Sequence, residues 1–190
     1  MLFLQVALYC LLFVQLVKCA AKSNGRNCLY FYPKEFLNEA QRRGIADVNA
    51  EMQKGKRFML LFCAVMLAAL ILIVAVWNRA ADFKTAYLQS LILLACTNWF
   101  DGIAVDRLWV SRGKIWIVKG MEGVLYVKPW RTVIAKRCLA TILYAILALA
   151  AAGISIWICR LCYSRYCSSA INVLNACIDF TFVLYCTHPK

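Results

Sequence analysis

The chain has 190 residues, 64% of them hydrophobic and 16% charged, with a formal net charge of +13. A soluble domain carries roughly a quarter charged residues. Here the apolar residues stand in long blocks with the charges gathered between them, which excludes an ordinary water-soluble globule and reads as a chain whose solvent is lipid.

Four blocks follow one another along the chain. Met1 to Val17 carries no charged side chain. It reads as a first membrane helix rather than a cleaved leader. No Lys or Arg precedes the apolar run, and Lys18-Cys19-Ala20-Ala21 makes a poor cleavage site. The second block, Phe58 to Trp77, is uncharged, and the third, Ala86 to Val105, contains one acid, Asp101. The fourth, Cys138 to Cys159, is again uncharged. Roughly 20 apolar helical residues cross about 30 Å of hydrocarbon. The expected fold is therefore an all-α membrane bundle of four transmembrane helices at about 1–17, 58–77, 86–105 and 138–159, forming one domain over 1–168. The apolar tail 169–190, interrupted by Asn172, Asn175 and Asp179, leaves three readings open: a fifth crossing, an interfacial helix or an irregular extension.

Lys and Arg set the orientation. The loop 18–57 holds nine basic residues and 106–137 holds eight, against two between Asn78 and Thr85. With four crossings the two rich loops share a side, and the positive-inside rule makes that side cytoplasmic and the amino terminus extracytoplasmic. Trp77, Tyr87 and Trp157 then fall at the outer ends of their helices. Topology accounts for the basic charge, and no nucleic-acid-binding motif is present.

Within the loop 18–57, Pro33 can open a short helix with Phe36, Leu37 and Ala40 on one face, Gly44 can stop it, and Asp47 can cap a second short helix through Met52 and Gln53. This is either a helical hairpin that meets a partner or, as favoured here, a linker resting on headgroups, with Lys54, Lys56 and Arg57 as the stop flank of the second crossing. Packing between crossings is expected on small residues: Ala64, Ala68 and Ala75 in the second, and Ala145, Ala148, Ala152 and Ser155 in the fourth.

The richest stretch closes the third block. Asn98 and Asp101 share a helix face. From Tyr87, Asp101 lies about 21 Å along the helix and Asp106 about 28 Å. That puts Asp101 in the inner third of the hydrocarbon and Asp106 at the interface. A carboxylate inside the membrane is a functional candidate by default, able to bind a cation, carry a proton or hold a polar ligand group. The structural reading is that it pairs with Asn98, a basic loop side chain or nearby backbone. The turn Gly120-Met121-Glu122-Gly123 adds Glu122 as a further ligand or ion-binding candidate. Arg107, Trp109, Arg112, Lys114, Trp116, Trp130 and Arg131 mix aromatic and basic side chains as a surface for anionic lipid headgroups does. Ile115 to Val118 reads as a short strand or a segment lying on the bilayer.

The Trp99-x-Asp101-x4-Asp106 spacing, the Trp-rich segment and the Gly-x-Glu turn at Gly120 and Glu122 resemble an uncharacterised family of small bacterial multi-span membrane proteins. In that family the turn reads closer to Pro-Gly-Thr-Glu, where this chain has Lys119-Gly120-Met121-Glu122. The resemblance covers the middle third of the chain. It implies the helix layout and brings no activity.

Nothing points to a metal or cofactor. Cys159-x2-Cys162-x4-Cys167 lacks a well-spaced fourth ligand, His188 stands alone at the end, and no phosphate loop or catalytic triad appears. No catalytic residue is expected. The leading expectation is a non-enzymatic membrane component of the plasma membrane, an accessory subunit or small carrier with a polar site near Asp101. Its partners are the bilayer, anionic headgroups and other membrane proteins, not nucleic acid. The alternative is a membrane-embedded enzyme acting on a lipid or lipid-linked substrate, with Asp101, Asp106 and Glu122 as acid/base groups.

Overall fold

The central helix of the computed structural model is the least apolar of the long ones. Along Phe83–Phe100 (α4), Ala86, Ser90, Leu93, Leu94, Thr97 and Asn98 are buried. These positions fall three and four apart and form one continuous stripe. Asp82 caps the helix: its carboxylate accepts from the Thr85 backbone N–H at 2.8 Å. The hydrogen bonds from Thr85 hold that carboxyl below its ordinary range.

Around α4 stand α1 (Leu2–Ala21), α3 (Val48–Ile71) and α5 (Trp130–Cys186), with a short α2 (Lys34–Arg42) lying outside the spanning set. The structure describes residues 1–21, 25–32, 34–110, 116–121 and 130–186, with the backbone alone for 25–27 and 162–186. The chain is 88% helical, with no strand among the described residues. Four helices are long and apolar enough to cross a membrane, over Leu2–Ala21, Val48–Trp77, Phe83–Trp109 and Trp130–Leu161. Their outward faces are greasy: Leu60 is 76% exposed and Ile146 62%. In water such a surface would aggregate, whereas in lipid it is already solvated.

The helices outrun the apolar blocks. α3 begins at Val48, with Asp47 as its N-cap accepting from the Asn49 N–H. Asp47 therefore caps the spanning helix itself, not a separate short one. Lys54, Lys56 and Arg57 ride on its first turns. Charge ends the hydrocarbon but not the helix, because Lys and Arg are good helix formers. α5 likewise starts eight residues before Cys138, and its backbone continues without a break through residue 168 to Cys186. At 1.5 Å per residue its length is about 85 Å.

Small residues pack α5 as expected, with Ala148, Ala152 and Ser155 fully buried. In the second crossing the expectation holds for Ala75, which is buried, and fails for the other two. Ala64 and Ala68 are exposed, and the helix packs instead through Met66, Leu70 and Val74. These sit at intervals of four, and their bulk fills the space that a small-residue contact would have closed.

The linker 18–57 is not draped on its own. Leu29, Phe36, Leu37 and Ala40 form a buried cluster with Val118 and Met121 of the other loop. Gly44 ends α2 at φ +67°, a backbone that glycine adopts without strain. Arg43, just before it, donates to the Gly120 carbonyl at 3.1 Å and pairs with Glu39 at 2.7 Å. The hydrogen bond from Arg43 holds the Glu39 carboxyl below its usual range. Both loops thus lie together at one end of the bundle, called here the loop end. The α3–α4 hairpin and the start of α1 mark the hairpin end.

Candidate functional site

Both α3 and α4 finish in π-helical turns, Leu72–Trp77 and Asp101–Trp109. A π turn closes hydrogen bonds between residues five apart. In an α-helix, residues five apart point about 140° away from each other. The wider turn narrows that angle and so brings Asp106 toward the side of Asp101.

One guanidinium meets both acids. Arg137 of α5 places Nη1 2.6 Å from Asp101 Oδ2 and Nη2 2.6 Å from Asp106 Oδ2. Nη1 also donates to Asn98 Oδ1 at 3.2 Å. The Asn98 amide in turn donates to the Arg137 carbonyl at 2.9 Å and to Thr141 Oγ1 at 3.0 Å. Thr141 Oγ1 donates to the same carbonyl at 2.7 Å. Gly102 makes this approach possible: a Cβ there would lie 2.8 Å from Arg137 Nε. The charged groups are mostly buried, with 16% to 22% of the side-chain surface of Arg137, Asp101 and Asp106 exposed.

Asp101, Asp106 and Arg137 of the cluster line a cavity of about 260 Å³. Phe13 and Val17 of α1, Phe58 and Phe62 of α3, and Tyr144 of α5 form part of its wall. Val105 and Val110 continue it along α4, and Tyr32 and Trp116 close it from the loop end. The Tyr32 hydroxyl donates to the Trp116 carbonyl, and Tyr32 stacks on Phe36 at 4.4 Å between centroids. Burial pushes the Tyr32 phenol up to about 12, so it remains a donor throughout the neutral range. The loop cluster built on α2 therefore serves as the floor of this cavity.

A second polar cluster occupies the hairpin end. Asn78, just past the other π turn, donates to Gln5 Oε1 at 3.0 Å and to Gln89 Oε1 at 2.9 Å. Gln5 Nε2 donates back to Asn78 Oδ1. Gln89 and Asp101 are about 18 Å apart along α4, so both clusters fit within one hydrocarbon thickness.

The candidates from sequence divide. Asn98, Asp101 and Asp106 meet at one guanidinium. Arg107 lies over the Trp130 ring, 4.9 Å from its centroid, and Trp130 and Arg131 are exposed. Trp116 is 7% exposed and packs edge-on against Trp109 at 5.4 Å. It faces the protein interior, which leaves it no surface for headgroups. It belongs to neither a strand nor a membrane-surface segment, since Val17, Ala21, Cys28 and Val105 bury it. Arg112, Lys114, Ile115 and Glu122 lie outside the described residues, as do the side chains of Cys162 and Cys167.

Arg137, Thr141, Tyr144 and Gly102 were not among the candidates. A signal existed: Arg137, Thr141, Tyr144, Ala148 and Ser155 recur at helical spacing on one face. Starting the fourth block at Cys138 left Arg137 one residue outside it. No family model, curated protein or solved structure matches the chain.

Proposed function

We propose that the chain is a non-enzymatic component of the cell membrane, a small carrier or accessory subunit. In this reading its loop-end cavity holds a membrane-borne ligand with a polar head and an apolar body. The observation that carries it is the cavity itself. Aromatic and aliphatic side chains from α1, α3 and α5 line it together with the Asp101, Asp106 and Arg137 cluster. Pockets of mostly apolar wall with few placed polar groups are the usual form of ligand sites.

The enzymatic alternative would use Asp101 and Asp106 as acid and base. Both carboxylates are instead engaged by the same guanidinium at 2.6 Å, so their surroundings do not set one apart from the other as an acid and a base. That arrangement suits holding a ligand better than moving a proton.

The basic loops favour an orientation with the loop end cytoplasmic and the amino terminus outside. In that setting Arg107, Trp109, Trp130 and Arg131 meet anionic headgroups. The participation of α1 in both polar regions, through Gln5 and through Phe13 and Val17, favours its retention.

The test is native mass spectrometry of the full-length protein released from nanodiscs. The wild-type protein should carry a small-molecule adduct, and Val105→Phe, which fills the cavity, should lose it while keeping its helical circular dichroism. No adduct on the wild type, or equal adducts on both, would remove the ligand-holding role.

A further inference from the structure

The lining of the cavity discriminates among possible heads. Its charged members among the described residues are two carboxylates and one guanidinium, Asp101, Asp106 and Arg137. An anionic head would look first to Arg137. That fork is already engaged, with Nη1 on Asp101 and Asn98, and Nη2 on Asp106. Its Nε is buried without a partner among the described residues, beside Gly102, where even a methyl would not fit. An anion would therefore have to displace a carboxylate from the guanidinium and then sit beside it. Neither step is favourable in a poorly solvated site.

A cation meets the opposite situation. Phe13, Phe58, Phe62, Trp116 and Tyr144 supply aromatic rings around the same volume. The negative faces of such rings attract ammonium groups, most strongly where water is excluded. Carboxylates at one end add a Coulombic attraction without having to leave Arg137. An alkylated ammonium suits this lining better than a bare metal ion. It has few or no hydrogen bonds to satisfy, and its methyl groups pack on rings.

We propose that the loop-end cavity binds an organic cation, an ammonium-headed amphiphile whose head lies between the aromatic rings and the Asp101–Asp106 pair and whose apolar body follows the α1–α3 wall. This rests on the ligand-holding reading above and names its chemical class. The ammonium can come from a choline-type lipid headgroup or from a free lipophilic amine, since the same groups recognise both.

Full-length protein in uncharged maltoside micelles, stripped of lipid, would be titrated with decyltrimethylammonium, decanol and decanoate, with Trp fluorescence as the readout and protein-free micelles as the reference. The cation should bind at least about tenfold more tightly than decanol, a margin within the range of a desolvated cation–π contact, and decanoate most weakly. Phe62→Leu, which removes one ring and leaves the ion pairs intact, should reduce that preference severalfold with decanol unchanged. Asp101→Asn should do the same. Competition by short-chain phosphatidylcholine would mark the lipid source, and competition by tetramethylammonium alone the free one. Binding of decanol or decanoate as tight as that of the cation, abolished by Val105→Phe, would overturn the cation proposal and leave the pocket reading standing. No binding of any of the three would overturn both.

Discussion

The two ends of the bundle solve the same problem with different chemistry. At each, a helix closes in a π turn and delivers a polar residue into the hydrocarbon zone. At the hairpin end that residue is Asn78, and its partners are the neutral amides of Gln5 and Gln89. Gln5 is 1% exposed. This cluster satisfies itself. At the loop end the residues are charged, and the cluster faces a cavity. Polar groups that only join helices need to satisfy one another, and amides do so cheaply. Placing two acids and a base in a membrane costs far more, at least about 2.5 kcal/mol per charged residue on insertion scales before pairing. A chain that needed only adhesion had the amide solution available at its other end. That difference is what the proposal of a ligand at the loop end rests on.

The largest expected effect comes from Arg137→Met. It removes the guanidinium shared by Asp101 and Asp106, and loss of one member of a buried ion-pair set costs about 3–5 kcal/mol. Unfolding in mixed micelles should show that loss, and the further change Asp101→Asn, Asp106→Asn should recover much of it. A shift below about 1 kcal/mol would mean the pairing has little energetic role.

Gly102→Val comes next. Its Cβ must displace Arg137 Nε from a 2.8 Å contact, and overpacking of this kind costs about 1–3 kcal/mol. The same variant should lower ligand affinity, because Arg137 cannot move without releasing a carboxylate. Stability and binding falling together would support the close approach, and unchanged values in both would contradict it.

The smallest effect belongs to the hairpin end. Asn78→Leu should cost about 1 kcal/mol, the scale of interhelical polar contacts in membranes. Replacing Gln5, Asn78 and Gln89 all by Leu should cost less than the single change, since no buried amide is then left without a partner. Loss of ligand binding in the triple variant would show that the ends are not separable.

Much of this architecture was legible in the sequence, for a physical reason. Lipid demands uninterrupted apolar runs, and those runs announce the four long helices. Their ends were less legible. The hydrocarbon boundary and the helix boundary are set by different forces, so Lys54 and Arg57 marked the first and concealed the second. Asp101 stood out because a carboxylate in an apolar run is conspicuous. Arg137 did not, because a basic residue beside an apolar run is what any membrane flank shows. Only its spacing with Thr141 and Tyr144 sets it apart. The alignment of Asp106 with Asp101 needed the π turn, and no residue pattern in Asp101 to Trp109 announces one. Trp116 looked interfacial by type, yet pairing of the two loops drew it inside.

The separation of the two ends can be measured in one comparison. Asn78→Leu and Asp101→Asn would be prepared as full-length proteins in the same nanodiscs, and each measured for thermal stability and for retained small-molecule adduct. Asp101→Asn keeps Arg137 paired with Asp106, so it should stay folded and carry severalfold less of the adduct. Asn78→Leu should lose a little stability and keep the adduct. An Asp101→Asn protein that retains the adduct in full, or an Asn78→Leu protein that loses it while folded, would contradict the assignment of the loop-end cluster to a ligand.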